Sequence, residues 1–452
     1  MTVRPTRSGR FEQRSAPSRL AALALAGLVV ASAAVTGPAA ASGHDGRPGQ
    51  DDRPGHGGGN GGGPGGGHGP GHGGKRIYVN PESSTVEAAA KLKGQARKDA
   101  LTLAAVPSAT WFTKGTPAEV RASAADLVRR ADRADAVPVL VAYNIPFRDC
   151  ALYSQGGAAD SAAYAAWIKG LAQGIGNREA IVVLEPDGLG VIPWYTDING
   201  VPEKCRPADQ DPETAADKRF AQLRNAVDQL KALPRTSVYL DGTGSNWLSP
   251  GDATQRLRKA NVAKADGFFM NVSNYEADDR LAHYAHWLSD CLALADAGYP
   301  EASCRSQYYP ATFDDTSTWT LTDAAYDAAF AEVGIARDPA RQKKALLDTS
   351  RNGLGSWTPP AGKYADAEVW CNPPGRGAGA RPSLATGDPY VAARLWVKIP
   401  GESDGKCYRG TGGPLDPERG MVDPDAGHWF PEQARELVSL AVPRLERGHG
   451  RD

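Results

Sequence analysis

The run Ile181-Val182-Val183-Leu184 is apolar without a break and ends at once in Glu185-Pro186-Asp187-Gly188. Such a run reads as a strand buried on both faces, as in parallel sheets covered by helices. Two carboxylates separated by a proline then stand at its end, where a rigid scaffold can hold an acid over a substrate.

The pattern recurs along the chain. Val137 to Val141 runs into Tyr143-Asn-Ile-Pro-Phe-Arg148-Asp149-Cys150, Val238-Tyr-Leu240 into Asp241-Gly242, and Leu395-Trp-Val397 into Lys398-Ile-Pro-Gly-Glu402-Ser-Asp404-Gly405. Candidate strands therefore deliver Asp149, Asp187, Asp241 and Asp404 from their C-terminal ends. Between them lie stretches of helical period, among them Pro117 to Ala131, Asp160 to Ile175, Thr214 to Leu233 and Pro431 to Ala441, several opened by Asp, Thr or Pro. Strand and helix in alternation predict a parallel sheet with helices outside it. In such folds the C-terminal ends of the strands carry the active site. Clustered carboxylates there suit acid and base work, because burial and neighbouring charge raise one pKa while another group stays ionised. Splitting a glycosidic bond needs such a pair.

The N-terminus has a different composition. Arginines at 4, 7, 10, 14 and 19 precede an apolar run from Leu20 to Val35 and then Pro38-Ala39-Ala40-Ala41, which is the layout of a secretory signal peptide over residues 1–41. The run is shorter than the ~20 apolar residues a membrane span needs, so the expected product is a secreted, extracellular chain with no membrane attachment after cleavage. Residues 42–75 are almost wholly Gly, Pro, His and charged side chains, too poor in apolar groups to bury a core, and read as a disordered tether. Residues 76–452 remain for one catalytic domain. Net charge is −1, with no basic cluster beyond the N-terminus, which gives no reason to expect nucleic acid as a partner.

Six cysteines, Cys150, Cys205, Cys291, Cys304, Cys371 and Cys407, form an even set that in an exported chain implies disulfides in any of ~15 pairings. No Cys-x-x-Cys pair supports zinc.

Taken together, these residues resemble glycoside hydrolase family 6, whose members are endoglucanases and cellobiohydrolases acting on β-1,4-glucan. The segment from Tyr143 to Arg148-Asp149-Cys150 and the segment Val183-Leu-Glu-Pro-Asp-Gly-Leu189 are similar to two of its signatures. Asn271-Val-Ser-Asn-Tyr275, Asp348-Thr-Ser-Arg-Asn-Gly353, Trp370-Cys-Asn372, Trp396-Val-Lys398 and Gly401-Glu402-Ser-Asp404-Gly405 follow in the family's order. The resemblance implies an α/β fold, a distorted TIM-like β/α barrel of fewer than eight strands with long loops on its C-terminal face. Candidate cleft walls are the loop-rich insertions Val191 to Asp211 and Asp290 to Thr318.

By the same resemblance Asp187 is the proton donor, Asp149 sits beside it raising its pKa and helping to position water, and Asp404 stands in the place of the proposed base, with a water-relayed route through Asp149 as the other option. Tyr143 resembles the tyrosine under the reactive sugar ring. Trp111, Trp247 and Trp370 match subsite tryptophans, Lys398 and Glu402 match sugar contacts, and Asp241 and Asn271 complete the substrate-binding set. The resemblance also implies the bridges Cys150 to Cys205 and Cys371 to Cys407, which leaves Cys291 with Cys304. No cofactor or metal is implied, and a monomer acting on β-1,4-glucan or cello-oligosaccharides is expected. The rival reading is a secreted β-glucan-binding protein with impaired catalysis, against which all three of Asp149, Asp187 and Asp404 are present. One departure stands out: where the family continues Asp-Ala-Gly-His, this chain reads Asp241-Gly-Thr-Gly-Ser-Asn-Trp247.

Overall fold

A computed structural model describes residues 74–446 except Ala151. The expected leader and nearly all of the expected tether lie outside the described residues. Lys75, the last residue of that expected tether, forms ion pairs with Asp135 at 3.2 Å and Glu179 at 3.1 Å.

The strands are β1 (Arg76–Ile77), β2 (Thr110–Phe112), β3 (Ala136–Val137), β4 (Val139–Ala142), β5 (Ala180–Leu184), β6 (Thr236–Asp241), β7 (Gly267–Met270), β8 (Lys344–Asp348) and β9 (Val391–Leu395). The helices are α1 (Ser84–Lys91), α2 (Gly94–Ala104), α3 (Pro117–Arg133), α4 (Ser161–Ile175), α5 (Ala215–Lys231), α6 (Pro250–Lys259), α7 (Asp278–Asp296), α8 (Trp319–Val333) and α9 (Pro431–Ser439). Seven strands form one sheet in the order β2-β4-β5-β6-β7-β8-β9, with every pairing parallel. Ladder neighbours are successive in sequence, which is the topology of a barrel rather than of a doubly wound sheet.

The side-chain alternation of the strands shows how the sheet curls. Val139, Val141, Ile181, Val183, Tyr239, Phe269, Leu346, Ala393 and Leu395 pack together in one cluster. Their alternates Leu140, Val182, Leu240, Phe268, Met270 and Leu347 pack instead with the helices. A cluster that joins the first strands to the last is an enclosed barrel interior. The seam between β2 and β9 has no ladder; Ala109 N, just before β2, donates to Trp396 O, just after β9, at 2.9 Å. The barrel is thus distorted and has fewer than eight strands, as expected.

Two strand expectations need correction. The run from Val137 to Val141 is broken at Pro138, which has no N–H to give the ladder, into β3 and β4. The last strand ends at Leu395, so Trp396 and Val397 already belong to the loop that carries Lys398. The helices fall where periodicity puts them: α3 opens with a reciprocal Thr116/Glu119 capping box and Pro117, and Asp160 caps α4 by accepting from Ala163 N at 2.8 Å. The second insertion begins inside a helix, since α7 runs on to Asp296. No helix among the described residues is long and apolar enough to cross a membrane.

Helices α3 and α4 pack closely because Gly170 and Gly174, one turn apart, carry no side chain at the contact. A Cβ on Gly174 would lie 2.5 Å from Arg121 O and 2.8 Å from Ala124 Cβ, and one on Gly170 would meet Pro117 O. Helix propensity favours Ala over Gly by ~1 kcal/mol, but a clash with backbone costs ~1–3 kcal/mol because the neighbour cannot swing aside. Gly174→Ala should therefore lose roughly 1–2 kcal/mol in urea unfolding. An unchanged or raised midpoint would mean that the two helices can part freely.

Candidate active site

Each strand end turns sharply. Phe147, Asp149, Glu185, Asp187, Thr243, Asn271, Ser273 and Asn372 all adopt positive φ, between 38° and 66°. Left-handed backbone at non-glycine residues is costly, and its clustering at one end of the barrel marks that end as functional.

Glu185, at the end of β5, is fully buried and does not face the cleft. Its two oxygens accept from Asn144 N at 3.0 Å and Ile145 N at 3.0 Å, which fixes the loop after β4. Burial lifts its pKa to about 7 although these N–H groups and Arg219 work the other way. Buried Arg219 donates to Gly188 O and Val191 O, both at 2.9 Å, and to Pro146 O at 2.8 Å, so it ties the Asp149 and Asp187 loops together. Arg148 is not a partner of Asp149. Its guanidinium donates to Thr113 O at 2.6 Å and Tyr143 O at 2.5 Å and lies 4.8 Å from the centre of the Tyr143 ring.

The four aspartates are brought together, and their environments differ. Asp404 is buried, and burial alone would raise its pKa. Arg351 at 2.8 Å and Lys398 at 3.5 Å outweigh that, with Asn372 N donating at 3.0 Å, and hold the carboxyl below its ordinary value. Asp149 accepts from Ser154 N at 2.5 Å, yet burial, with some help from the Asp404 charge, pushes it to about 6. Asp241 accepts from Leu189 N at 3.2 Å, Gly190 N at 3.1 Å and Thr243 N at 2.8 Å, and burial still pushes it to about 6. The half-buried Asp187 has a side chain that accepts no hydrogen bond from any described residue. Burial, then the charges of Asp241, Asp149 and Asp404, raise its pKa well above the carboxylate range. The arrangement supplies one acid that stays protonated and one carboxylate that stays ionised.

A cavity of about 730 Å³ on this face is lined by Trp111, Tyr143, Lys398, Glu402, Gly405 and Tyr153, among others. Trp111 donates its indole N–H to Val397 O at 2.8 Å and meets Tyr143 edge-on, ring centres 5.3 Å apart. Lys398 Nζ donates to Ser403 O at 3.2 Å, and Ser84 Oγ donates to Glu402 at 2.5 Å. Trp247 is 37% exposed, and Trp370 is half-buried with its ring centre 5.8 Å from that of Tyr153. A larger cavity of about 870 Å³ opens around Ile181, Tyr239 and Leu346 at the other end of the barrel. Neither lining includes any of the four aspartates, but the smaller one is bounded by Arg148 and Ser154 beside Asp149 and by Gly405 next to Asp404. The site is chosen by chemistry, not by volume.

Two expected sugar contacts are committed elsewhere. Asn271 is fully buried, donates to Asp348 O at 2.8 Å and accepts from Glu276 N at 3.0 Å, so both its polar side-chain atoms have partners in the loops. Asp241 gives its carboxylate oxygens to backbone N–H groups and acts on Asp187 through its charge. Sequence reasoning gave no role to Arg351, Asn372 or Tyr275, although all three stand in the quoted motifs. Asn372 also accepts from Asp404 N at 2.8 Å, and Tyr275 donates to Asp404 at 3.2 Å. A buried carboxylate that stays ionised is well served by a cation, and Arg351 in a strand-end segment was the available signal for the partner of Asp404.

The disulfides join Cys150 to Cys205, Cys371 to Cys407 and Cys291 to Cys304. The first adjoins Asp149 and the second adjoins Asn372. Of the described residues, only Cys407, Asp416 and Asp423 cluster closely enough to suggest metal ligands. The sulfur is bonded to Cys371 and Asp416 is paired with Arg409 at 2.9 Å, so this group offers no ligand set.

Residues 72–441 match the family model described as glycosyl hydrolases family 6. Endoglucanase A of Thermobispora bispora is 32% identical over 370 residues, which are 81% of this chain and 62% of that protein, so the chain spans under two thirds of that relative's length. Endoglucanase 1 of Streptomyces halstedii is 33% identical over 366 residues, 80% of this chain and 88% of the other. The solved endoglucanase Cel6 of Mycobacterium tuberculosis, in complex with a methyl cellobiosyl-thio-cellobioside, superposes with a TM-score of 0.58 at 30% identity, covering 81% of this chain and 98% of its own.

The Asp149 environment makes a stability prediction. Its folded pKa, about 6, lies above the ordinary aspartate value of 3.8, so the folded state binds the proton more tightly. Its contribution is fully present below pH ~4 and is lost as pH rises through ~6. Asp149→Asn keeps an acceptor for Ser154 N and removes the buried charge. The variant should match the parent in denaturant at pH 4 and exceed it at pH 7 by up to ~3 kcal/mol. A variant less stable at pH 7 than the parent would mean that the carboxylate is better compensated than this.

Proposed function

The chain belongs to glycosyl hydrolase family 6, and on that footing we propose that it is a secreted, cofactor-independent glycosidase that cleaves β-1,4-glucosidic bonds of cellulose or related β-glucan with inversion. The observation that carries the reading is the half-buried, unpartnered carboxyl of Asp187, kept protonated by burial and three neighbouring carboxylates. A neutral carboxylic acid at neutral pH is what a poor leaving group such as a sugar alkoxide requires.

In the proposed mechanism Asp187 gives its proton to the glycosidic oxygen as the bond to the anomeric carbon breaks. Positive charge spreads over that carbon and the ring oxygen. Asp404, held ionised by Arg351 and Lys398, faces that charge electrostatically and accepts the proton of the attacking water either directly or through Asp149. Asp149, at about 6, is the stronger base of the two near neutral pH. The water attacks opposite the leaving group, so a β-linkage yields an α-anomer in one displacement. Trp111, Tyr143, Trp247 and Trp370 offer faces for the apolar C–H surfaces of pyranose rings, and Lys398 and Glu402 offer hydrogen bonds to their edges. Relatives of this chain are named both endoglucanases and cellobiohydrolases, so the reading covers internal cleavage and release from chain ends alike, by a monomer.

Asp187→Asn should reduce cleavage of cello-oligosaccharides by ~10²–10⁴-fold while leaving their binding largely intact. Near-normal hydrolysis by the variant would remove Asp187 from the role of acid. Proton NMR of the first product should show the α-anomer. A β product would require a covalent intermediate and would remove Asp404 from the role proposed for it.

A further inference from the structure

The loop between α7 and α8 carries two aromatic rings that nothing in the catalytic arrangement uses. Tyr308 is 46% and Tyr309 67% exposed, and with Trp247 at 37% they are the exposed large aromatics among the described residues. Exposed aromatic surface of this extent on a rigid loop calls for a ligand.

The loop is fixed, and it is fixed to the cleft. From the end of α7 it turns back along the helix, where Cys304 bridges to Cys291. Tyr326 OH donates to Arg305 O at 3.1 Å and Thr322 Oγ1 to Ser306 O at 2.9 Å. Buried Gln307 donates to Ser245 O at 2.9 Å and Leu248 O at 3.0 Å, the two sides of the turn that presents Trp247. Tyr308 OH reaches the same turn, donating to Trp247 O at 3.1 Å. Trp247 in turn lies against Gly190, where a Cβ would stand 2.5 Å from the indole. Gly190 is three residues beyond Asp187, so a chain of direct contacts links the loop of the acid to Trp247 and Trp247 to Tyr308.

The rings are set as platforms. The Arg305 guanidinium lies 5.5 Å from the centre of the Tyr309 ring and backs one face, which leaves the other to solvent. Tyr308 leans on Phe313, centres 5.6 Å apart, and Arg280 backs Phe313 at 4.9 Å. A ring with one face supported and one face free is suited to an apolar sugar face, and cationic backing stiffens it.

We infer that Tyr308 and Tyr309 form a distal subsite beyond Trp247 that takes a further glucosyl unit of the same β-1,4-glucan chain. The inference rests on the glucanase reading and adds to it a preference for longer chains that this loop confers.

The test is a ladder of cello-oligosaccharides from cellotriose to cellohexaose, with kcat/KM measured for the parent, Tyr309→Ala and Tyr309→Phe. The parent should gain in kcat/KM with length. Tyr309→Ala should lose that gain by about fivefold or more at the long end, the effect of ~1 kcal/mol of aromatic contact. Tyr309→Phe keeps the ring and should restore the gain. Equal length dependence in the parent and Tyr309→Ala overturns the subsite while leaving the glucanase reading intact, and so does a loss in Tyr309→Phe as large as that in Tyr309→Ala. A parent that cleaves no member of the ladder overturns the glucanase reading itself.

Discussion

Buried carboxylates at one end of one barrel repel each other and resist leaving water, and the catalytic face is organised by how that repulsion is relieved. Asp404 is neutralised by Arg351 and Lys398. Asp348 accepts from Lys398 N at 2.9 Å, Ser350 N at 2.9 Å and Val397 N at 3.1 Å. Asp241 and Glu185 are relieved by backbone N–H groups. Asp187 alone of these has no donor or cation against it. Its pKa is pushed up instead, because ionising it would add an uncompensated charge to a crowded, poorly solvated site. The same electrostatics that make the cluster expensive therefore assign its chemistry.

The carboxylates that are not free also build the rim. Glu185 ends β5 and holds the loop after β4; Asp241 ends β6 and holds the loop after β5. Asp348 ends β8 and holds the loop after β9, with Ser273 N from the loop after β7 also on it at 3.3 Å. In each case an acid at one strand end accepts N–H groups from the loop of a neighbouring strand. Parallel strands leave these loops without ladder partners, so side-chain acceptors take over the satisfaction of their N–H groups. Loops held in this way can carry left-handed residues such as Asp149 and Asp187, whose strain the surrounding bonds offset.

This division was only partly legible in the sequence. The apolar runs ending in Asp187 and Asp241, and the helical periods of α3, α4 and α5, were plain because burial on both faces and on one face leave different patterns. The break at Pro138 was also on the page, since proline cannot serve a central ladder. What could not be read was which acids face the cleft. Glu185 and Asp187 stand two residues apart with a proline between them, yet one is fully buried and bonded to backbone N–H groups while the other is half-buried with no hydrogen-bond partner among the described residues. Asn271 shows the same limit: a motif gives residue type and order, while the bonds its side chain makes depend on Glu276 N and Asp348 O, which other parts of the fold bring to it.

The departure after Asp241 shows how a loop keeps its place when a motif is lost. The stretch Gly242-Thr243-Gly244-Ser245 has small side chains where the family carries a histidine, and its hold is through the backbone. Thr243 N donates to Asp241 at 2.8 Å, Asn271 N donates to Thr243 O at 2.7 Å, and the side chain of Gln307 spans Ser245 O and Leu248 O. Tyr284, from α7, adds a second donor to Leu248 O at 2.8 Å. These donors come from α7 and from the loop that Cys291 and Cys304 staple to it, so the position of Trp247 depends on that loop. The Trp247 side of the cleft is therefore held from outside the strand end, by α7 and by the segment that carries Tyr308 and Tyr309.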